Sequence, residues 1–255
     1  LSATHHVLFE ALAYTAGFAL FRHLRKRHGH PTDHPEGGWV FVGAVLGAAL
    51  GSKLLDIAQF LPYVVEQFSL LGQGGSAPPQ RPPDVAGIFG GKTIVGGLLG
   101  GWLGVELAKS RLGIQRSTGD LLVQPLILGI LIGRIGCFLA GPGDHTSGHL
   151  TDVPWAIDAG DGPRHPTQLY EALFLAAYAV VDHLSRRRGP DGARFLRFMV
   201  AYLGFRVVID FWKAPYGPDP LLPSPVLLPL LLTPIQLGAL LGACYAGLRL
   251  ARNPA

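Results

Sequence analysis

The apolar run LILGILIGRIGCFLAGPGDHTSG, Leu126 to Gly148, carries one arginine, Arg134, before it breaks into a glycine-rich loop. A guanidinium in such a run is costly against lipid, so it marks a site whose partner must be found. Arg206 and Asp210 stand one helical turn apart in a second apolar run, and Lys53 and Asp56 stand three apart in a third; both spacings suit ion pairs on one helix face. Glu10 lies in the first apolar run, and Lys92 begins another. His165 precedes Pro166, which fits the first turn of a helix, and beyond it Gln168, Tyr170 and Glu171 leave on three faces. Gln168 and Glu171, three apart, can both face a bundle. The chemistry these types offer is anion binding and proton transfer. Paired guanidiniums give rigid forks for phosphate oxygens, and an imidazole titrates near neutrality, so His165 either shuttles a proton or holds the loop by hydrogen bonds. If the charges serve only to hold helices together, Arg134 pairs with Glu171 or Asp210, and Arg206 with Asp210.

The loop after Gly141 adds Asp144, His145, His149, Asp152, Asp158 and Asp161. Ser147 lacks the strand-turn-helix setting of a nucleophile elbow, and His145 and His149 lack a third ligand, so neither a triad nor a metal site is expected. No cofactor is implied. Cys137 and Cys244 lie in separate apolar runs with no disulfide or metal spacing. Cys137 is either a small packing residue or a nucleophile in need of a base.

The elements that must position these residues are membrane helices. With 49% hydrophobic and 15% charged residues and a mean hydropathy of +0.33, the chain does not have a soluble surface. Apolar segments fall at about 4–22, 37–57, 93–109, 121–141, 166–184, 195–212 and 229–248, each near the length that crosses the hydrocarbon. Lys and Arg alternate between the gaps: Arg22, Arg25, Lys26 and Arg27 follow the first span, Lys109, Arg111 and Arg116 the third, Arg186 to Arg188 and Arg194 the fifth, and Arg249 and Arg252 the seventh. The intervening gaps hold few, Arg81, Arg164 and Lys213, with Lys92 at the start of the third span. The positive-inside rule then predicts an all-α bundle of seven transmembrane helices, N-terminus outside and C-terminus in the cytoplasm. This distribution explains the formal charge of +4 without a nucleic-acid partner. The chain reads as one transmembrane domain over 1–255, a monomer, with extracytoplasmic connections at about 58–92 and 142–165. The first segment lacks the pattern of a cleaved signal and is expected to be a retained helix. The stretch GQGGSAPPQRPPDVAGIFGG, Gly72 to Gly91, has no helical period. The small residues of GAVLGAALGSK and GGLLGGWLG allow close helix approach.

With this topology Glu10, Lys53, Asp56, Lys92, Arg134, His165, Arg206 and Asp210 all fall in the outer half of the bilayer. Structural ion pairs have no reason to collect at one depth, whereas a polar cavity opening outward requires it.

Three stretches, GRIGCFLAG, RHPTQLYE and the pair GAALGSKLL and TIVGGLLGG, resemble the prolipoprotein diacylglyceryl transferases. YLGFRVVIDFWK is similar to a late motif of that family and sets Arg206, Asp210 and Lys213 in its charged places. The resemblance implies a bacterial inner-membrane enzyme that moves a diacylglyceryl group from phosphatidylglycerol to the thiol of a lipobox cysteine, releasing glycerol phosphate. It implies catalytic roles for Arg134 and Arg206 with a base among His165, Asp144 and His145. It also implies substrate contacts from Arg134, Arg206, Gln168, Glu171, Tyr170, Lys53, Lys92, Glu10, Asp210, Gly96, Gly97 and Cys137. The sequence departs from the family at several of these places. Val95 stands where the family carries a histidine, Cys137 where it carries asparagine, Lys53 where it carries arginine, Glu10 near a tyrosine position, and AGPGDH in place of Asn-Gly-Glu. Two functions follow: a transferase with rebuilt acid-base groups, its acceptor a lipobox peptide or a small molecule, or a phospholipid binder, transporter or assembly protein that kept the lipid cavity alone.

Overall fold

In a computed structural model the chain is described at residues 2–28, 37–59, 61, 65, 68–69, 91–141, 146–158, 160, 162–185, 190–213 and 232–252. Among these residues seven α helices form: α1 Ser2–His28, α2 Gly37–Gln59, α3 Ile94–Leu112, α4 Val123–Ala140, α5 Thr167–Ser185, α6 Ala193–Ile209 and α7 Pro234–Arg252. A 3-10 turn, Asp120–Leu122, leads into α4, and two short antiparallel strands, β1 Ile157–Asp158 and β2 Pro163–Arg164, precede α5. The apolar segments marked in the sequence fall on these helices. Gly38–Gln59 and Asp120–Ala140 are long and apolar enough to cross a membrane. Leu46, Leu50, Leu54, Leu103, Leu173 and Leu184 point outward from their helices, as lipid-facing surfaces do and water-facing ones rarely do. These are the features of an all-α membrane protein.

The ends of the helices explain themselves locally. Thr93 caps α3, its hydroxyl accepting from Gly96 N at 3.3 Å, and Gly113, at φ 70°, ends it. Thr233 and Gln236 form a capping box that starts α7 at Pro234, later than the hydropathy indicated: Thr233 N donates to Gln236 Oε1 at 3.0 Å and Gln236 N to Thr233 Oγ1 at 3.2 Å.

The chain divides into two compact units, one of Leu1–His34, Arg116–Ala214 and Ala243–Ala255, the other of Pro35–Gln115 and Pro215–Gly242. In the second unit α2 and α3 run antiparallel with their glycines in register: Gly43 faces Gly104, Gly47 faces Gly100 and Gly51 faces Gly96. A Cβ on any of the six would meet the partner backbone, so the small-residue repeats serve the close packing expected of them.

In the first unit α4, α5 and α6 form the frame of the site. The contact of α5 with α6 is aromatic in the middle: Phe174 stacks on Phe205 with ring centroids 4.3 Å apart, and Tyr178 meets Phe198 edge-on at 5.6 Å. At one end of these helices Asp120 accepts from Gly192 N at 2.9 Å and Phe195 N at 2.8 Å, capping α6 from a distant part of the chain, while Arg194 pairs with Asp182. At the other end, about 18 Å along α6 at the usual helical rise, stands a second charged cluster.

Candidate functional site

Glu171 is the centre of that cluster. It lies in the first turns of α5 and is fully buried, as is Thr167, with Gln168 buried beside it. Tyr202 donates to Glu171 Oε1 at 2.6 Å. Arg134, from α4, brings its Nε to 2.9 Å from Glu171 Oε2, and Arg206, from α6, brings Nη1 to 3.7 Å from Glu171 Oε1. Arg206 also donates through Nη2 to both oxygens of Asp210, at 2.9 and 3.1 Å. Lys213, beyond the end of α6, sets its ammonium 3.7 Å from Glu171 Oε2 and 3.4 Å from Asp210 Oδ1. Arg134 and Arg206 are therefore brought to one carboxylate, and they are ion-paired there, as the bundle-holding alternative required.

Two observations go beyond a closed ion-pair network. Arg134 Nε, Glu171 Oε2 and Arg206 Nε are buried and lack a hydrogen-bond partner among the described residues; the 2.9 Å approach is a contact of charges without hydrogen-bond alignment. The cluster also combines three cations, Arg134, Arg206 and Lys213, with two carboxylates, Glu171 and Asp210, which leaves one positive charge. Burial costs several kcal/mol per ion, so such a group is a weak stabiliser and retains its capacity to meet an anion. One phosphodiester would bring it to neutrality.

The loop before α5 is fastened to this end of the frame. Gly148 N donates to His165 O at 2.8 Å and His149 N to Trp212 O at 2.8 Å, so the loop bridges the start of α5 and the turn carrying Lys213. Gly148 has no room for a side chain: a Cβ would lie 2.6 Å from that of His165 and 2.7 Å from Trp212 O. Arg164 donates to Gly148 O at 3.2 Å. The His165 backbone holds the loop, and its ring is left for Tyr170, with Nδ1 3.2 Å from the hydroxyl that also accepts from Trp155 Nε1 at 2.7 Å. Gln168 donates to Ser147 Oγ at 3.1 Å. A hollow lined by Phe138, Gly141, Ser147, Arg164, His165 and Gln168 opens here; Arg134 and Arg206 are not in its lining.

The other residues singled out in the sequence have these places. Cys137 lies one turn from Arg134 on α4, its sulfur 3.9 Å from Nη1. Glu10, on α1, accepts from Tyr14 at 3.2 Å. Lys53 and Asp56 pair at 2.9 Å in the second unit, where Lys53 also donates to Gly91 O at 3.1 Å. Lys92 is exposed, Val95 is fully buried, and Gly96 and Gly97 begin α3. Asp144 and His145 lie outside the described residues, as does the connection at 72–90. Sequence reasoning passed over Tyr202, although it precedes Arg206 by four residues and so shares its helix face.

A family model described as prolipoprotein diacylglyceryl transferase matches residues 3–250. The chain is 31% identical to the phosphatidylglycerol–prolipoprotein diacylglyceryl transferase of Methylocella silvestris, over 94% of this chain and 83% of the relative. It is 29% identical to the protein of that name from Geobacter sulfurreducens, over 86% and 80%, and 30% identical to that of Aeromonas hydrophila, over 82% and 74%. A match that runs through every helix of the frame around Glu171 makes this chain a member of the prolipoprotein diacylglyceryl transferase family.

Proposed function

We propose that this protein transfers the diacylglyceryl group of phosphatidylglycerol to the thiol of a lipobox peptide at the outer face of a bacterial inner membrane. It works as one transmembrane domain of seven spans with the Glu171 cluster on the extracytoplasmic side. The relatives named for that reaction support it, and the alternation of Lys and Arg along the chain supports the orientation. The observation that carries the proposal is the convergence of Arg134 and Arg206, with Lys213, on Glu171 in a cluster that keeps one net positive charge.

In the reaction a sulfur–carbon bond forms at the glycerol carbon of the donor and that carbon's bond to the phosphate oxygen breaks. The phosphate oxygen keeps the electron pair and leaves with glycerol phosphate. Arg134 and Arg206 hold the phosphate and gain interaction energy as its charge grows, which is how fixed cations lower a barrier. The thiol proton goes to a base, and His165 takes that role: its ring stands at the hollow beside the loop, oriented by Tyr170. Asp144 and His145 are the other candidates of that loop.

Binding of phosphatidylglycerol against phosphatidylcholine, measured on purified wild type, Arg134→Ala and Arg206→Ala, tests the phosphate role. Each variant is expected to lose about tenfold or more in preference for the anionic lipid, the worth of one charge-assisted contact. Unchanged binding in a folded Arg206→Ala protein overturns it.

A further inference from the structure

The three cations of the Glu171 cluster are not equally committed. Arg206 is engaged by both oxygens of Asp210, and Arg134 stands 2.9 Å from Glu171; their side chains are 5% and 6% exposed. Lys213 is the loosely held one. Its distances to the carboxylates are 3.4 and 3.7 Å, and its side chain is 17% exposed. It also sits on the segment that bridges to the loop at Gly148, on the side of the cluster where the chain turns out of α6. Of the three cations its side chain is therefore the most open to a ligand.

We propose that Lys213 is a direct ligand of the donor phosphate and the residue that makes donor binding depend on pH. This rests on phosphatidylglycerol being the donor, as proposed above. Burial first, and repulsion from Arg206 second, push the Lys213 ammonium down to about 8, while Asp210 and Glu171 hold it up and Arg134 opposes them. A cation is thus present below that pH and absent above it. The phosphodiester keeps its single charge throughout the same interval, and arginine stays charged, so among these groups Lys213 supplies the change. The sign follows: a phosphate against Nζ favours the charged form, so affinity is high at neutral pH and falls as pH rises past the value for the free protein. An arginine in this place also binds phosphate and stays charged across this interval.

The test is binding of phosphatidylglycerol to the purified full chain, with phosphatidylcholine as reference, between about pH 6.5 and 9.5, where an amine of this kind changes charge. Wild type is expected to lose about tenfold in affinity across the range, Lys213→Arg to bind as at neutral pH throughout, and Lys213→Met to bind weakly and without pH response. Thermal unfolding of each variant identifies a protein that has not folded, and Lys213→Arg, which keeps charge and bulk, carries the decision if Lys213→Met fails that check. A wild type whose affinity is flat with pH, or a Lys213→Arg protein that keeps the alkaline fall, overturns the inference and leaves the donor assignment standing. A wild type that binds no phosphatidylglycerol at any pH overturns both.

Discussion

Glu171 decides how the charged residues of this protein are arranged. A carboxylate with no solvent exposure needs cations, and it receives them from α4, α6 and the turn beyond α6, with a hydrogen bond from Tyr202. Removing one partner of such a group is far more costly than the group's net worth, because the remaining charges stay buried and uncompensated. His165 is different in kind: its backbone closes the loop, its ring does not, and so its chemistry can be removed with little effect on the fold. His165→Gln keeps a hydrogen-bonding side chain but no base. We expect it to retain phosphatidylglycerol binding and lose about a hundredfold in transfer rate, as removal of a general base does; full turnover in the folded variant eliminates His165 as the base. Much of this cluster was legible in the sequence, because an arginine in an apolar run and a four-residue Arg206 to Asp210 spacing have few physical explanations. Tyr202 was not, since a tyrosine in an apolar helix reads as core until its partner is known. Nor could spacing alone show that Arg134 Nε and Arg206 Nε lie buried without a hydrogen-bond partner among the described residues.

At the scale of elements, two kinds of helix contact do different work. The α5 and α6 pair is packed by aromatic rings, Phe174 on Phe205 and Tyr178 against Phe198, between the two charged ends of the frame. The α2 and α3 pair is packed by backbone on backbone, at Gly43, Gly47 and Gly51 against Gly104, Gly100 and Gly96. Any side chain there must push the helices apart. Gly100→Leu is expected to destabilise the protein by about 2 kcal/mol, within the range of overpacked cores, and an engineered disulfide between Ala44 and Gly101 to form more slowly in that background. Unchanged melting and cross-linking would show that the contact is dispensable. The helices themselves were legible because apolar runs near membrane length leave little choice. Their ends were less so: hydropathy does not register that Thr233 and Gln236 cap a helix at Pro234, or that α1 continues through its basic residues to His28.

For the whole molecule the charge pattern gives the orientation its meaning. Asp191, beside the Asp182 and Arg194 pair, belongs to the end assigned to the cytoplasm, and Asp158, in the short hairpin, to the end assigned to the outside. With Cys137 and Cys244 replaced by serine, a cysteine at 158 is expected to react with an impermeant thiol reagent applied from outside, and one at 191 only after the membrane is opened. The reverse pattern inverts the topology and removes the argument that the buried charges share the outer leaflet. The family and the donor class were legible in the motifs around Arg134, His165 and Arg206; the acceptor was not, because a lipobox peptide needs a lateral opening and a small soluble acceptor only access from outside, and a sequence does not distinguish the two.

A transfer reaction run by the Glu171 cluster releases two products, and mass analysis of both tests for it. Purified protein is incubated with phosphatidylglycerol labelled in its glycerol headgroup and with a lipobox peptide. Labelled glycerol phosphate and a peptide heavier by one diacylglyceryl group are expected in equal amounts, both reduced by about a hundredfold or more in Arg206→Ala, as when a charge-stabilising donor is lost. Phosphatidylglycerol that binds the folded wild type while neither product forms would contradict it.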